Sequence, residues 1–400
     1  GTVVLSGTGS WVHGAGGVFV VGNDATAGTA NAGTVTINGS AVLDLSGNGP
    51  IYICPGWGSV NSGTVVQNGG LVKPYPVAQA WRTGNGPGVM IGQWTDNPCS
   101  ASYSLNGGVL QTPSMGSLAW SGNYVTGGVV NPATKGSTAV LNLNGGTIQA
   151  SDSDSIDPDA IGEGTAHLIF NTTHTWVQAG GAKIDTAGFN NSINVPLEHY
   201  ASGPAVDGGL TKLGTGTLTL LQASTYTGST VVQDGVLSCT TVASVAPTAL
   251  SIAASATVDL AYTGNQNIPG LTVAGVPQAP GVYGGAASSA PPANRLAAFS
   301  ATGPGTVTLV PPPPVLPPGG FTGAPGSPTF TWHTAAGWHY RVVYSATANA
   351  PLNTWTPVII PGTYPGPNGW SAAVSTGADM TLVDPSPSTT QRFYRIEAGP

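Results

Sequence analysis

The chain of 400 residues carries 60 glycines and 34 prolines, while only 6% of its residues are charged, against about a quarter in ordinary globular proteins. A mean hydropathy of +0.12 excludes simple disorder, because disordered chains are polar and highly charged. Sixteen acids against nine bases leave a net charge of −7, which excludes a nucleic-acid surface and attraction to an anionic membrane.

In chain order, short strand-like runs follow one another: Thr2–Leu5, Gly17–Val21, Thr34–Ile37, Ala41–Leu45, Ile51–Cys54, Thr64–Gln67, Val89–Ile91, Tyr103–Leu105 and Ala139–Leu143. β-Branched residues dominate their apolar positions, and few windows are free of Gly or Pro for long enough to hold a helix. No apolar run reaches the roughly 18 residues of a membrane-spanning helix, so no membrane insertion is expected. Starting at Gly1 inside a strand-like run, the chain reads as a processed form or a fragment. Cys54 and Cys99 are the candidate disulfide, with buried free thiols as the alternative; Cys239 is left over.

A corner recurs at fixed phase. Asn-Gly closes a strand-like run at Asn38, Asn68, Asn106 and Asn144, which are spaced 30, 38 and 38 residues apart. A unit of that length with corners in phase predicts a stacked β-solenoid, because one coil cannot bury its inward side chains alone. Asn-Gly also marks hairpins, so an antiparallel meander is the competing reading.

Residues 208–237, GGLTKLGTGTLTLLQASTYTGSTVVQDGVL, hold two short runs, Gly216–Leu221 and Ser229–Val232, between glycine and hydroxyl residues. This stretch resembles the autotransporter-associated β-strand repeat (passenger-associated transport repeat) of bacterial surface proteins. AGGAKIDTAGFN before it and TALSIAASATVDLAYTGNQ after it are similar to the flanks of such repeats. The resemblance implies an all-β solenoid over residues 1–247, a β-rich tail or cap over 248–310, and an extracellular or cell-surface location. Pro311–Pro318 is a polyproline linker that cannot join a ladder. Residues 319–400 resemble a fibronectin-III-like β-sandwich, on the phrases GWHYRVVYSATAN, NTWTPV and QRFYRIEAGP. Its strands are expected at Thr329–Trp332, Tyr340–Ser345, Thr356–Ile360, Trp370–Val374, Met380–Val383 and Arg392–Ile396. Trp332, Trp338, Tyr340, Trp355, Phe393 and Tyr394 are its expected core.

Chemistry is sparse. Asp152, Asp154, Asp157, Asp159 and Glu163 form the densest acidic cluster and are a calcium candidate, although the spacing fits neither an EF-hand nor a glycine-rich calcium repeat; a solvated acidic loop is the alternative. Polysaccharide lyases and hydrolases need a strong base beside acids, or paired carboxylates. Lys73, Arg82, Lys135, Lys183 and Lys212 are scattered without matching acids, and Lys212 belongs to the repeat pattern. The histidines lack metal-ligand spacing, and no Ser-His-Asp arrangement is recognisable. Trp57, Trp81, Trp94 and Trp120 are candidates for a sugar-binding face or for coil-capping contacts. The expectation is a non-enzymatic surface protein without a cofactor. It self-associates into a homopolymeric fibre or, alternatively, serves as a monomeric adhesin for surface glycans.

Overall fold

The computed structural model describes residues 1–12, 19–22, 32–47, 49–54, 61–74, 88–93, 99–118, 138–154, 167–246, 248–310, 321–324, 327–333, 339–346, 355–358, 379–384 and 392–399. They belong to two compact units: Gly1–Gln266 with Gly284–Thr306, and Asn267–Tyr283 with Val307–Pro400. The segment 248–310, expected as one tail, is thus divided between them. Linker residues 311–318 lie outside the described residues. The protein is all-β, and the helical content among the described residues is a short 3-10 turn at Pro292–Asn294.

In the first unit the strands fall into three columns, and neighbours within each are parallel. The first column holds Thr2–Leu5, Ala32–Ile37, the opening halves of Asn61–Lys73 and Cys99–Thr112, Thr138–Leu143, His174–Val177 and Glu198–His199. The second holds Ser10–Val12, Val42–Asp44, the closing halves of the same two long strands, Thr147–Ala150, Ala182–Asp185, Leu210–Leu213, Thr230–Val232 and Leu250–Ile252. The third runs from Phe19–Val21 through Ile51–Ile53, Val89–Gln93, Met115–Leu118, Ile169–Phe170, Asn191–Ile193, Thr217–Leu220 and Gly235–Cys239 to Ala256–Leu260. A meander would pair successive runs antiparallel. The parallel pairing sets that alternative aside and gives a β-helix-like arrangement.

The strand sequences follow from this geometry. Parallel sheets covered on both faces read as unbroken apolar runs, whereas here one face is open and side chains alternate. Asn61–Gln67 alternates buried and half-buried positions, and so does Cys99–Leu105. Ile37, Leu43, Ile53, Val72, Leu105, Leu141, Ile148 and Ile184 point inward and are buried. Gln67 is one of the polar side chains buried in this core. Tyr103 Oη donates to its Oε1 at 2.7 Å, and its own Nε2 donates to the Val109 carbonyl at 2.9 Å.

The Asn-Gly corners stack into a side-chain ladder. Asn68 Nδ2 donates to Asn38 Oδ1 at 2.8 Å, Asn106 to Asn68 at 2.8 Å and Asn144 to Asn106 at 3.2 Å; the Gly180 amide then donates to Asn144 Oδ1 at 2.9 Å. Gly70 makes the corner possible. Its φ is +71°, and a Cβ there would lie 2.1 Å from the Ala41 carbonyl oxygen. Gly70→Ala is therefore expected to cost at least about 2 kcal/mol, read as a lower denaturation midpoint.

From Asn68 onward stacked partners draw closer in sequence, after a shorter first step of 30 residues between Asn38 and Asn68. They are 38 residues apart at Asn68 and Asn106, 36 at Gln149 and Asp185, 27 at Thr186 and Leu213, and 20 at Leu220 and Thr240. The last third-column strand is covered. Val258 N donates to the Ala298 carbonyl at 2.9 Å, Ser300 N donates to the Val258 carbonyl at 2.8 Å, and Phe299 is buried.

The second unit contains antiparallel pairings. It contains a hairpin of Leu271–Val273 with Val276–Pro277. Phe321–Ala324, Ser327–His333 and Asp379–Val383 form one three-stranded sheet; Thr356–Pro357, His339–Ser345 and Phe393–Gly399 form another. Trp332 and Tyr340 are buried as expected, while Phe393 and Tyr394 are half-buried. Buried Asp384 ties the sheets together, accepting from Arg392 Nη1 and Tyr394 Oη at 2.8 Å each. The expected strand at Trp370–Val374 and Trp338 lie outside the described residues.

Candidate functional site

All three cysteines are buried, including Cys54 and Cys99, the pair considered for a disulfide. Cys54 follows the third-column strand Ile51–Ile53, whereas Cys99 opens a first-column strand beside Asn61. Burial pushes the Cys239 thiol up to about 12, with Asp259 adding to the effect, which leaves it unreactive at neutral pH.

Of the five acids considered for calcium, Asp152 and Asp154 are described; Asp157, Asp159 and Glu163 lie outside the described residues. Both described acids are engaged at a corner. The Asp152 carbonyl accepts from Asn191 Nδ2 at 2.8 Å, and Asp152 Oδ1 accepts from Ser153 N at 2.8 Å. Asp154 Oδ1 accepts from Asn191, and its Oδ2 accepts from Ser192 Oγ. Ser192 Oγ also lies 2.5 Å from His167 Nδ1. Asp, Ser and His thus do meet here, which their sequence spacing did not reveal. The order is wrong for a nucleophile relay, in which the imidazole stands between acid and hydroxyl. Here the hydroxyl stands between, and the cluster pins the corner. Among the described residues no three His, Cys, Asp or Glu side chains converge as a metal centre.

Trp57, Trp81, Trp94 and Trp120 lie outside the described residues. The described aromatic group on the open face of the first column is instead Trp176. Alternation turns Thr175 and Val177 inward and leaves His174 and Trp176 half-buried on the outer face. Their rings stack with centroids 4.3 Å apart, and Tyr200 meets Trp176 edge-on at 5.8 Å. His174 Nδ1 donates to Glu198 Oε2 at 2.9 Å, and Gln178 Nε2 donates to Asn142 Oδ1 at 3.2 Å. This face offers aromatic edges, amides and a carboxylate, the mixture that suits contact with polyhydroxylated ligands.

Beside it, Asp207 fastens two corners. Its buried carboxylate accepts from His199 Nδ1 at 2.9 Å, the Gly209 amide at 2.9 Å, the Thr227 amide at 2.8 Å, Thr227 Oγ1 at 3.1 Å and the Gly228 amide at 2.8 Å. Burial alone would raise its pKa, but the bonds from His199, Thr227, Gly228 and Gly209 outweigh that and hold it below the usual carboxylate value.

Lys212 is wholly buried in the second column, between Ile184 and Val232. Its stem fills an aliphatic position. Nζ donates to Thr186 Oγ1 at 3.0 Å and to the carbonyls of Leu213, Gly214 and Asp234 at 2.8, 2.6 and 3.2 Å. Burial pushes its pKa down to about 8, with Asp185 and Asp234 pulling the other way.

Parallel columns of this kind define a β-helix-like class of protein. Within it, residues 210–238 match the family model described as the passenger-associated-transport-repeat, a family associated with autotransporter passengers at the cell surface. The match spans the strands Leu210–Leu213, Thr217–Leu220 and Thr230–Val232 and all but the last residue of Gly235–Cys239, with the corners that Lys212 closes. Comparison with curated proteins and with solved structures gives no significant match. No helix among the described residues is long and apolar enough to cross a membrane.

Proposed function

We propose that the chain is the displayed, non-enzymatic scaffold of a passenger-type surface protein, a β-solenoid followed by a fibronectin-III-like β-sandwich. The observation carrying this reading is that the matched repeat shares the register of the strands before it: Leu210–Leu213 stacks on Ala182–Asp185, and Thr217–Leu220 on Asn191–Ile193. The cover over Val258 takes up the edge that an end-to-end homopolymeric fibre would use there. That favours a discrete displayed scaffold over a fibre. On intact producing cells, an antibody to the chain is expected to label without permeabilisation, and negative-stain images of the purified chain to show discrete particles. Labelling only after permeabilisation overturns the display; regular filaments restore the fibre.

A second reading, glycan adhesion, is favoured by the outward Trp176 group. Trp176→Ala is expected to weaken a glycan-array signal roughly tenfold, since one aromatic contact contributes about 1–1.5 kcal/mol. An array blank for the unmodified chain, or binding indifferent to the substitution, removes this reading.

A further inference from the structure

We infer that Asn38 is a site of self-modification: its side chain cyclises onto the Gly39 nitrogen, and the folded ladder directs this reaction to Asn38 and away from Asn144. In the reaction the Gly39 N–H loses its proton and the nitrogen attacks Asn38 Cγ. The Cγ–Nδ2 bond breaks and ammonia leaves, giving a cyclic imide. Water then opens the ring to aspartate or to isoaspartate. No electron donor or acceptor is needed.

The four ladder positions share the Asn-Gly sequence yet differ in how their reacting atoms are held. At the far end, Asn144 Nδ2 donates to Asn106, Asn144 Oδ1 accepts from Gly180 N, and Gly145 N is itself committed to the Gly181 carbonyl at 2.9 Å. Asn68 and Asn106 each donate to one neighbour and accept from the next. Asn38 accepts from Asn68, but its Nδ2 has no acceptor and Gly39 N has none either among the described residues. The strand Thr2–Leu5 beneath it continues into Ser6, not asparagine, so the ladder stops there. Gly39 is also exposed. The leaving nitrogen and the attacking nitrogen are thus both unrestrained at one end and both held at the other.

The two products differ in consequence. Aspartate at position 38 still accepts from Asn68. Isoaspartate adds a methylene to the backbone between Ile37, registered with Gln67, and Val42, registered with Leu71, and so spoils the corner.

The test holds the folded full-length chain in mildly alkaline buffer and follows the four ladder asparagines by peptide mapping with isoaspartate detection. Asn38 is expected to convert roughly tenfold faster than Asn144, the effect of one or two lost hydrogen bonds. In denaturant the four are expected to convert at similar rates. Equal rates in the folded chain, or faster conversion at Asn144, overturn the inference. Asn68→Ser provides the second arm, because it removes the acceptor of Asn106 Nδ2. Conversion at Asn106 is then expected to rise several-fold relative to Asn144. A rise at both together reports loosening of the whole stack, and no rise at either denies the ladder its role; both count against the inference. The further Asn-Gly pairs at Asn48, Asn85 and Asn368 have their asparagines outside the described residues and do not enter the comparison.

Discussion

Lys212→Met is expected to lower folding stability by about 2–4 kcal/mol, because it keeps the stem but removes the bonds that Nζ gives to three part-buried carbonyls and to the Thr186 hydroxyl. The effect has a pH signature. The folded pKa lies at about 8, below the ordinary value of 10.5, so between these values the unfolded chain binds more protons. Stability from this group is therefore present above about 10.5 and lost as pH falls through about 8. Cys239 and the buried tyrosines have raised pKa values and act in the opposite direction at high pH. The lysine contribution is isolated by comparing the chain with its variant. The stability gap between them is expected to widen by roughly 1 kcal/mol from pH 7 to pH 9. A gap that stays constant would mean that Lys212 titrates normally.

Asp207→Ala is the second large effect, expected at about 3 kcal/mol or more, since five donors converge on this carboxylate and water does not reach it. Here the folded pKa is depressed. The stabilisation is complete above the unfolded value near 3.8 and is lost as pH falls through the lower folded value. The chain should thus lose part of its acid resistance in the variant, seen as a higher pH for the acid unfolding midpoint. Hydrogen exchange at Thr227, Gly228 and Gly209 should accelerate in the variant ahead of exchange in the strands around Leu105. Unchanged exchange at those three amides would show that Asp207 does not hold them.

Much of this architecture was legible because it repeats at constant phase. Asn38, Asn68, Asn106 and Asn144 announced a corner, since that corner needs a glycine with positive φ and an amide that can both give and take a hydrogen bond. Strand positions such as Thr2–Leu5 and Ala139–Leu143 followed from alternation. In the second unit, Thr329–Trp332 and Tyr340–Ser345 were visible as aromatic and β-branched runs, within the strands Ser327–His333 and His339–Ser345. The corner clusters were not legible. Asp154, His167 and Ser192 come together across links of unequal length, and nothing in the sequence fixes how the chain between them returns. Lys212 read as one more letter of a repeat. Its burial depends on carbonyls of Leu213, Gly214 and Asp234, which every residue type carries, so no side-chain pattern marks them. Trp176 was missed because its strand, His174–Val177, is short and the surrounding block has polar links.

The distance between stacked partners, which shrinks from 38 residues to 20 beyond Asn68, gives the chain a preferred direction of folding. Closing a 20-residue loop costs about 0.6 kcal/mol less than closing one of 38, and contacts of short sequence separation form sooner. The region around Leu220 and Thr240 is therefore the natural nucleus. It can offer a finished parallel edge on which Ala182–Asp185, then Thr147–Ala150, and then the strands nearer Gly1 are laid down in turn.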